Sequence, residues 1–109
     1  MLAQKIKEGI YWVGAIDWGL RSFHGYATDK GSTYNAFLIL DEKITLVDNV
    51  KAPFAKEMMD RISSIIDPSK IEVIISNHGE PDHSGAILEV LKAAPNAKIY
   101  SSAPNGVKI

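Results

Sequence analysis

Residues 71–94 read IEVIISNHGEPDHSGAILEVLKAA, and this segment limits the choice of fold more than any other. Its first five residues are a β-branched run typical of a buried strand. From Ile87 onward the apolar residues recur at helical spacing, Ser84 can cap that helix, and Pro95 ends it. The segment therefore predicts a strand, a polar loop and a helix in succession.

The sequence on either side of this segment predicts an α/β fold class, in which helices cover at least some sheet faces. A loop over 17–32 contains three glycines and shows no periodicity, and loops of that length inside compact domains usually carry function. The predicted elements, in chain order, are two short strands around Ile6 and at 10–13, the loop over 17–32, a β-hairpin of strands 33–40 and 44–48, a helix from Pro53 to Asp67, the strand over 71–75, the helix from Ser84 and a strand from Lys98.

Length and composition indicate one globular domain at most. The chain has 109 residues, of which 46% are hydrophobic and 23% charged, and its formal net charge is −1. Nucleic-acid and membrane-surface binding normally need a basic face, so this balance gives no basis for either. No apolar run approaches the ~20 residues that span a bilayer, and no signal peptide is visible, so the sequence predicts a cytoplasmic protein. The absence of cysteine excludes disulfides, iron–sulfur clusters and thiolate metal ligands from this chain.

The polar loop between the strand and the helix carries four potential metal ligands in six positions: His78, Glu80, Asp82 and His83. An intervening glycine and proline oppose helix, so an extended loop is expected. In an extended chain residues at i, i+2 and i+4 point to one side, so His78, Glu80 and Asp82 can converge. Such nitrogen and oxygen donors suit iron, manganese or zinc, and the glutamate favours iron. The simpler interpretation is a polar loop that only caps the helix.

The pattern His78-x-Glu80-x-Asp82-His83 resembles the metal motif of the metallo-β-lactamase superfamily. It is more narrowly similar to the variant in flavodiiron proteins, where glutamate replaces the second histidine of the hydrolase pattern. The resemblance implies the N-terminal part of a metallo-β-lactamase-like αββα sandwich, with residues 1–109 forming a partial di-iron domain. Further similarity to the start of that family's chains lies in IYWVG at 10–14, FHGY at 23–26, TYNA at 33–36, VDNVK at 47–51 and SNH at 76–78.

The resemblance implies a non-haem di-iron (Fe) site that reduces dioxygen to water or nitric oxide to nitrous oxide. By this resemblance, His78 and Glu80 bind one iron, and Asp82 and His83 bind the other. It implies that electrons come from FMN in a flavodoxin-like domain, which is absent from these 109 residues. A donor such as a rubredoxin-like protein supplies electrons to that FMN. The resemblance also places two candidate catalytic residues in the pocket on the substrate side, His24 and Tyr26.

The four candidate ligands do not complete such a site. Two divalent irons carry four positive charges, whereas Glu80 and Asp82 supply two negative ones. The family completes its site with later histidine and aspartate residues, and the only other histidine here is His24. The chain is therefore expected to supply about half of the sandwich, to leave an apolar sheet face uncovered, and to need a homo-oligomer or a complementing chain. We expect weak metal binding and no turnover from these residues alone.

Two alternatives stay open at this point. One is a zinc-dependent hydrolase of the metallo-β-lactamase superfamily, which uses metal-bound hydroxide as its nucleophile but has histidine where Glu80 stands. The other is a non-catalytic fragment or assembly module that retains the metal loop without using it. Zinc in a fully assembled site favours the hydrolase. Folding and assembly that survive replacement of Glu80 and Asp82 favour the fragment.

Overall fold

The computed structural model describes residues 2–17, 22–23, 26–27, 32–77 and 85–101. Within these ranges the largest element is a six-stranded sheet, accompanied by two helices and two small two-stranded sheets. None of the helices in these ranges is long and apolar enough to cross a membrane. The strands are β1 Gln4–Lys7, β2 Ile10–Trp12, β3 Ala15–Asp17, β4 Ser22–Phe23, β5 Tyr26–Ala27, β6 Ser32–Tyr34, β7 Phe37–Ile39, β8 Thr45–Val47, β9 Val73–Ser76 and β10 Lys98–Ser101. The helices are α1 Ala55–Ser63 and α2 Ile87–Ala93, and short 3₁₀ turns cover Ala52–Phe54 and Pro68–Lys70.

The large sheet has the strand order β1-β2-β7-β8-β9-β10. Its first four strands are antiparallel neighbours, whereas β8, β9 and β10 run parallel. Parallel neighbours need crossover connections, and these contain α1 between β8 and β9 and α2 between β9 and β10. The carboxyl ends of the three parallel strands consequently lie at one edge of the sheet, here called the carboxyl edge.

The core lies on the sheet face that both helices cover. Leu38, Leu46 and Ile74 lie opposite one another across β7, β8 and β9, and all three are completely buried. Successive strand residues point to opposite faces, so this row fixes which side of each strand turns toward the helices. Three completely buried helix residues belong to the same cluster: Met58, Ile62 and Val90.

The opposite side of the sheet is an apolar surface, here called the open face, formed by Phe37, Ile39, Val47, Val73, Ile75 and Tyr100. Tyr100 is 56% exposed, and the other five side chains are only partly buried. None of the six belongs to the core cluster, to which both helices contribute their buried residues. In the described part of the chain, the uncovered apolar face expected from the sequence is therefore present.

The strand predicted over 33–40 was wrong, because that stretch forms two strands in different sheets. β6 pairs with β3, whereas β7 pairs with β2 and β8. The change of sheet occurs where two chain segments approach closely: a Cβ at Gly14 would lie 1.9 Å from the carbonyl oxygen of Tyr34. Beside it, Nε1 of Trp12 donates a hydrogen bond to Oδ1 of Asn35 (3.0 Å). The break thus depends on residues about twenty positions apart, which periodicity within one strand does not reveal.

The prediction of an irregular loop over 17–32 was also wrong in the part that the structure describes. β3 and β6 pair at its borders, and β4 pairs with β5 between them. Strands of two or three residues are too short to show an alternating pattern, so periodicity does not reveal them.

The remaining elements confirm the predicted types with shifted bounds. The hairpin of β7 and β8 and the strands β9 and β10 are present, and α1 ends at Ser63 rather than continuing to Asp67. Asp67 instead begins a 3₁₀ turn, where its carboxylate accepts a hydrogen bond from the Ser69 N–H (3.0 Å), and this bond lowers the pKa of Asp67. α2 confirms the second helix, and its predicted cap Ser84 lies outside the described residues.

Ile74 and Ile75 are adjacent on β9 and lie on opposite faces, which makes them a matched pair for testing where the core is. Because Ile74 is completely buried in the core, Ile74→Ala should lower the free energy of unfolding by roughly 2–5 kcal/mol. Ile75→Ala should cost about 1 kcal/mol or less, since that side chain is only partly buried on the open face. Urea unfolding followed by circular dichroism measures both values, and equal losses would contradict the assignment of faces.

Candidate metal centre

The loop predicted to bind metal begins at the carboxyl edge of the sheet. β9 ends at Ser76, and Asn77 is the last described residue before segment 78–84. The parallel neighbour β8 ends at Val47, so the loop that starts with Asp48 leaves the sheet at the same edge. Ligands of open α/β sheets bind at the carboxyl ends of the strands, which is where the candidate ligands follow in the sequence.

The predicted site residues fall almost entirely outside the described residues. His24 does so, and Tyr26 lies in β5, where its backbone pairs with β4. Within the ranges that the structure describes, no group of three or more histidine, aspartate or glutamate side chains is placed to hold a metal ion. The ligand set stays a prediction from the sequence, because all four of its members lie in segment 78–84: His78, Glu80, Asp82 and His83.

Asp48, in the loop after β8, binds Asn77, the last described residue before segment 78–84. Its carboxylate accepts two hydrogen bonds from Asn77, one from the backbone N–H (2.8 Å) and one from the side-chain Nδ2 (3.2 Å). The Asp48 N–H in turn donates to the carbonyl oxygen of Ile75 (2.7 Å). These three bonds tie the turn after β8 to the turn after β9.

The backbone of Asp48 is in the left-handed region, with a φ of 60°, and no other non-glycine residue in the described ranges is. That conformation costs an ordinary residue roughly 1–2 kcal/mol, although aspartate and asparagine adopt it more readily. Here the hydrogen bonds of the amide and the carboxylate offset that cost. Backbone held in a sparsely populated conformation is common at functional sites, which directs attention to this turn.

Asn49 and Val50 bind Ala86, which lies shortly after segment 78–84 in the sequence. Asn49 is completely buried, and its Oδ1 accepts a hydrogen bond from the N–H of Ala86 (3.2 Å). The same N–H also donates to the carbonyl oxygen of Val50 (3.0 Å), so two acceptors share it. The buried Nδ2 of Asn49 has no acceptor among the described residues. Because Ala86 directly precedes α2, these contacts fix the point at which the helix begins.

The sequence analysis assigned no site role to Asp48 or Asn49. Asp48 was the last residue of the predicted strand 44–48, and both residues lie in the similar stretch 47–51. The available signal was the step from an apolar strand to two consecutive turn-forming side chains, since both types favour turns and the left-handed region. That signal does not identify their partners, which lie 29 and 37 residues further along the chain.

Polar contacts also fix the strands on either side of the stretch that contains His24 and Tyr26. The Tyr34 hydroxyl on β6 donates to Oδ2 of Asp17 at the end of β3 (2.8 Å). The backbone of β3 is tied to α1, since Oε2 of Glu57 accepts a hydrogen bond from the Ile16 N–H (3.2 Å). Both borders of that stretch are therefore anchored to the core.

Comparison with known proteins identifies the family. Residues 33–107, more than half of the chain, match the family described as "ODP family beta lactamase". The chain is 46% identical over 96 residues to a nitric oxide reductase of Moorella thermoacetica, covering 86% of this chain and 24% of that protein. It is 48% identical over 103 residues to a rubredoxin-oxygen oxidoreductase of Megalodesulfovibrio gigas, covering 94% and 26%.

A solved structure agrees with these relatives. The flavodiiron protein from Giardia intestinalis superposes with a TM-score of 0.83 at 41% identity, over 91% of this chain and 24% of that one. This chain therefore belongs to the flavodiiron protein family and has the α/β fold of its beta-lactamase-like domain, as the motif resemblance predicted. It spans about a quarter of the length of the relatives it matches.

Proposed function

We propose that this chain supplies the first part of the di-iron site of an oxidoreductase that reduces dioxygen to water or nitric oxide to nitrous oxide. The main support is that segment 78–84 directly follows β9 and Asn77 in the sequence, and β9 ends at the carboxyl edge. Asn77 and Ala86, on either side of the segment, both bind the loop after β8. The names of the two relatives indicate the same chemistry, since one is a nitric oxide reductase and the other a rubredoxin-oxygen oxidoreductase.

The donor set of the segment fits iron. Two imidazoles and two carboxylates are the mixed nitrogen and oxygen donors that suit non-haem iron, and the chain has no cysteine to favour softer metals. We propose that His78 and Glu80 hold one iron, and that Asp82 and His83 hold the other. When bound, the two irons supply the redox chemistry. The two carboxylates of this chain offset part of the metal charge and leave the rest to donors from elsewhere.

Other parts of the proposed reaction involve residues and groups beyond this ligand set. His24 and Tyr26 are proposed pocket residues, because an imidazole and a phenol can each donate a hydrogen bond to a bound substrate. FMN on a separate flavodoxin-like domain is the proposed source of electrons. A rubredoxin-like protein is the proposed donor, which the name of the M. gigas relative suggests.

The zinc hydrolase alternative has less support than the oxidoreductase. Both relatives described above are named as oxidoreductases, and Glu80 stands where the hydrolase pattern has histidine. If the chain is a non-catalytic fragment, replacing the carboxylates of the loop should change neither folding nor assembly. Metal binding by such variants shows directly whether the loop uses its carboxylates.

Anaerobic titration of the 109-residue chain with Fe(II) tests the ligand assignment. We expect weak binding of fewer than about two irons per chain, because four side chains cannot complete two coordination spheres. Glu80→Ala and Asp82→Ala should each weaken binding by about tenfold or more, since each removes a charged donor. Glu42→Ala is the matched control, because Glu42 is an exposed glutamate in the turn between β7 and β8.

Unchanged iron binding in Glu80→Ala would exclude the loop as a metal site and favour the non-catalytic fragment. Consumption of dioxygen or nitric oxide by the isolated chain, supplied with a reduced flavin, would contradict the proposal that its site is only partial.

Glu80→His tests the choice between iron and zinc, because it restores the hydrolase pattern. Imidazole in place of a hard carboxylate should raise the zinc-to-iron ratio bound in an anaerobic competition by about threefold or more. Glu80→Gln is the control, since it removes the charge without adding an imidazole. Metal analysis after gel filtration gives the ratio for each variant. If Glu80→His and the unmodified chain bind the two metals in the same ratio, Glu80 does not select iron.

We propose further that residues 1–109 are a partial metallo-β-lactamase-like domain whose open face is covered by the rest of that domain. The partly buried apolar side chains of this face support the proposal, as does the greater length of the relatives. A shallow depression lined by Val73, Ile75, Asn77 and Tyr100 continues from the open face to the start of the metal loop. Protein that covers this face therefore also reaches the carboxyl edge, where missing ligands are needed.

The open face predicts that the isolated chain self-associates through apolar contacts. Light scattering after size exclusion should show a mass that increases with concentration, and the double variant Val47→Thr/Ile75→Thr should reduce that increase, because it makes two open-face residues polar. Threonine keeps the β-branched shape that strands favour, so the strands themselves should persist. Leu88→Gln is the control, since Leu88 is 68% exposed on α2, away from the open face. A chain that stays monomeric at all concentrations would contradict the prediction.

A further inference from the structure

We infer that residues 2–7 form a strap, and that the docking of this strap on α1 is coupled through Arg61 and Glu57 to the anchoring of β3. The strap contains β1 and contacts β2 on one side and the end of α1 on the other. All the residues that carry this coupling belong to the described ranges, and none of them is a candidate metal ligand.

The strap makes few buried contacts. β1 is the edge strand of the six-stranded sheet, all four of its side chains are exposed, and its pairing with β2 contains a register irregularity. Segments of this kind open locally at a low free energy. Two contacts with the end of α1 therefore matter for docking. Oγ of Ser64 accepts a hydrogen bond from the Ala3 N–H (3.0 Å), and Nη1 of Arg61 donates to the Leu2 carbonyl oxygen (2.6 Å).

Arg61 links the strap to β3 through Glu57, which lies one turn earlier on α1. Nη2 of Arg61 is 3.2 Å from Oε2 of Glu57, and the same Oε2 accepts the Ile16 N–H of β3 (3.2 Å). The two side chains are only 13% and 17% exposed, so removal of either charge leaves the other mostly buried without its counter-charge. The position of the carboxylate that anchors β3 thus depends on Arg61.

The position of Arg61 depends in turn on contacts outside α1. Its Cζ lies 4.7 Å from the centroid of the Trp12 ring, within the range of a cation–π interaction. Its buried Nε has no acceptor among the described residues. When the strap detaches, the guanidinium also loses the Leu2 carbonyl, and a buried donor without an acceptor is costly. We expect Arg61 then to shift toward solvent and to weaken its hold on Glu57.

This coupling connects the edge of the sheet with the end of β3. Coupling between two sites is reciprocal, so a molecule that stabilises the docked strap also stabilises the anchoring of β3. β3 ends at Asp17, and the stretch that follows in the sequence contains His24 and Tyr26. An effect of the strap on these two proposed pocket residues is the only consequence that rests on the proposed function.

Amide hydrogen exchange of the 109-residue chain tests the coupling from the side of the strap. Ser64→Ala removes the acceptor of the Ala3 N–H. It should accelerate exchange of the hydrogen-bonded amides of β1 about fivefold or more, and exchange at Ile16 about threefold or more, because the detached strap no longer holds Arg61. Ser63→Ala is the matched control, since Ser63 is the exposed last residue of α1. It should change neither rate by more than about 1.5-fold.

Glu57→Ala tests the coupling from the side of β3. It removes the acceptor of the Ile16 N–H and should accelerate exchange there directly. Exchange in β1 should rise about threefold or more as well, because Arg61 loses its counter-charge. Asp60→Ala is the control, since it removes an exposed ion pair with Lys56 on the same helix (3.0 Å). Unchanged exchange in β9 shows that each effect is local, because a general loss of stability accelerates exchange in the core strands too.

Acceleration in β1 without acceleration at Ile16 in Ser64→Ala would overturn the coupling, and unchanged exchange in β1 would overturn the strap itself. In Arg61→Met, which removes the link, the further change Ser64→Ala should no longer affect Ile16. If Arg61→Met does not fold, the Ser64 and Glu57 variants still decide. None of these outcomes involves iron, so a failure of the proposed function leaves them unaffected.

Discussion

The parallel pairing of β8 with β9 is the constraint on which the other features depend. Its register sets Leu46 opposite Ile74, and both are completely buried under the helices. A slip by one residue would turn a buried row onto the open face, so the core strongly favours this register. The same register brings the Asp48 N–H to the Ile75 carbonyl and the Asp48 carboxylate to Asn77. Packing of the core and geometry of the turn before the metal loop are therefore two results of one strand alignment.

The sequence of β9 is typical of a strand that is covered on both faces. A strand with one solvated face alternates between apolar and polar residues, whereas a strand covered on both faces is apolar throughout. Val73, Ile74 and Ile75 form a continuous apolar run. Of these three, Ile74 alone is completely buried in the described chain. Val73 and Ile75 lie on the face away from both helices and are only partly buried in the described chain. This pattern supports the proposal that further protein covers the open face.

Local sequence patterns were sufficient to predict elements whose periodicity lies within one stretch. They were insufficient for features that depend on contacts between distant residues. The hairpin of β7 and β8, the strand β9 and the helix α2 each carry a periodicity within one stretch, and each was predicted. The break at Gly14 depends on the Tyr34 carbonyl, and the turn at Asp48 depends on Asn77, so the local sequence does not identify the partner of either. The ligand motif stays a prediction from residue types and family resemblance, because segment 78–84 lies outside the described residues. The contacts of Asp48 and Asn49 were not predicted, because their partners lie far along the chain.

The proposed ligand set accounts for the weak iron binding expected of this chain. On the proposed assignment the segment 78–84 supplies two negative charges to two divalent irons, and no rearrangement of that segment changes this balance. The turn at Asp48 and Asn49, in contrast, has its hydrogen-bond partners within the described chain on both flanks of the segment. On that assignment the number of donors limits the affinity. The open face continues to the same edge, so protein that covers it, as proposed, is in a position to supply the further donors.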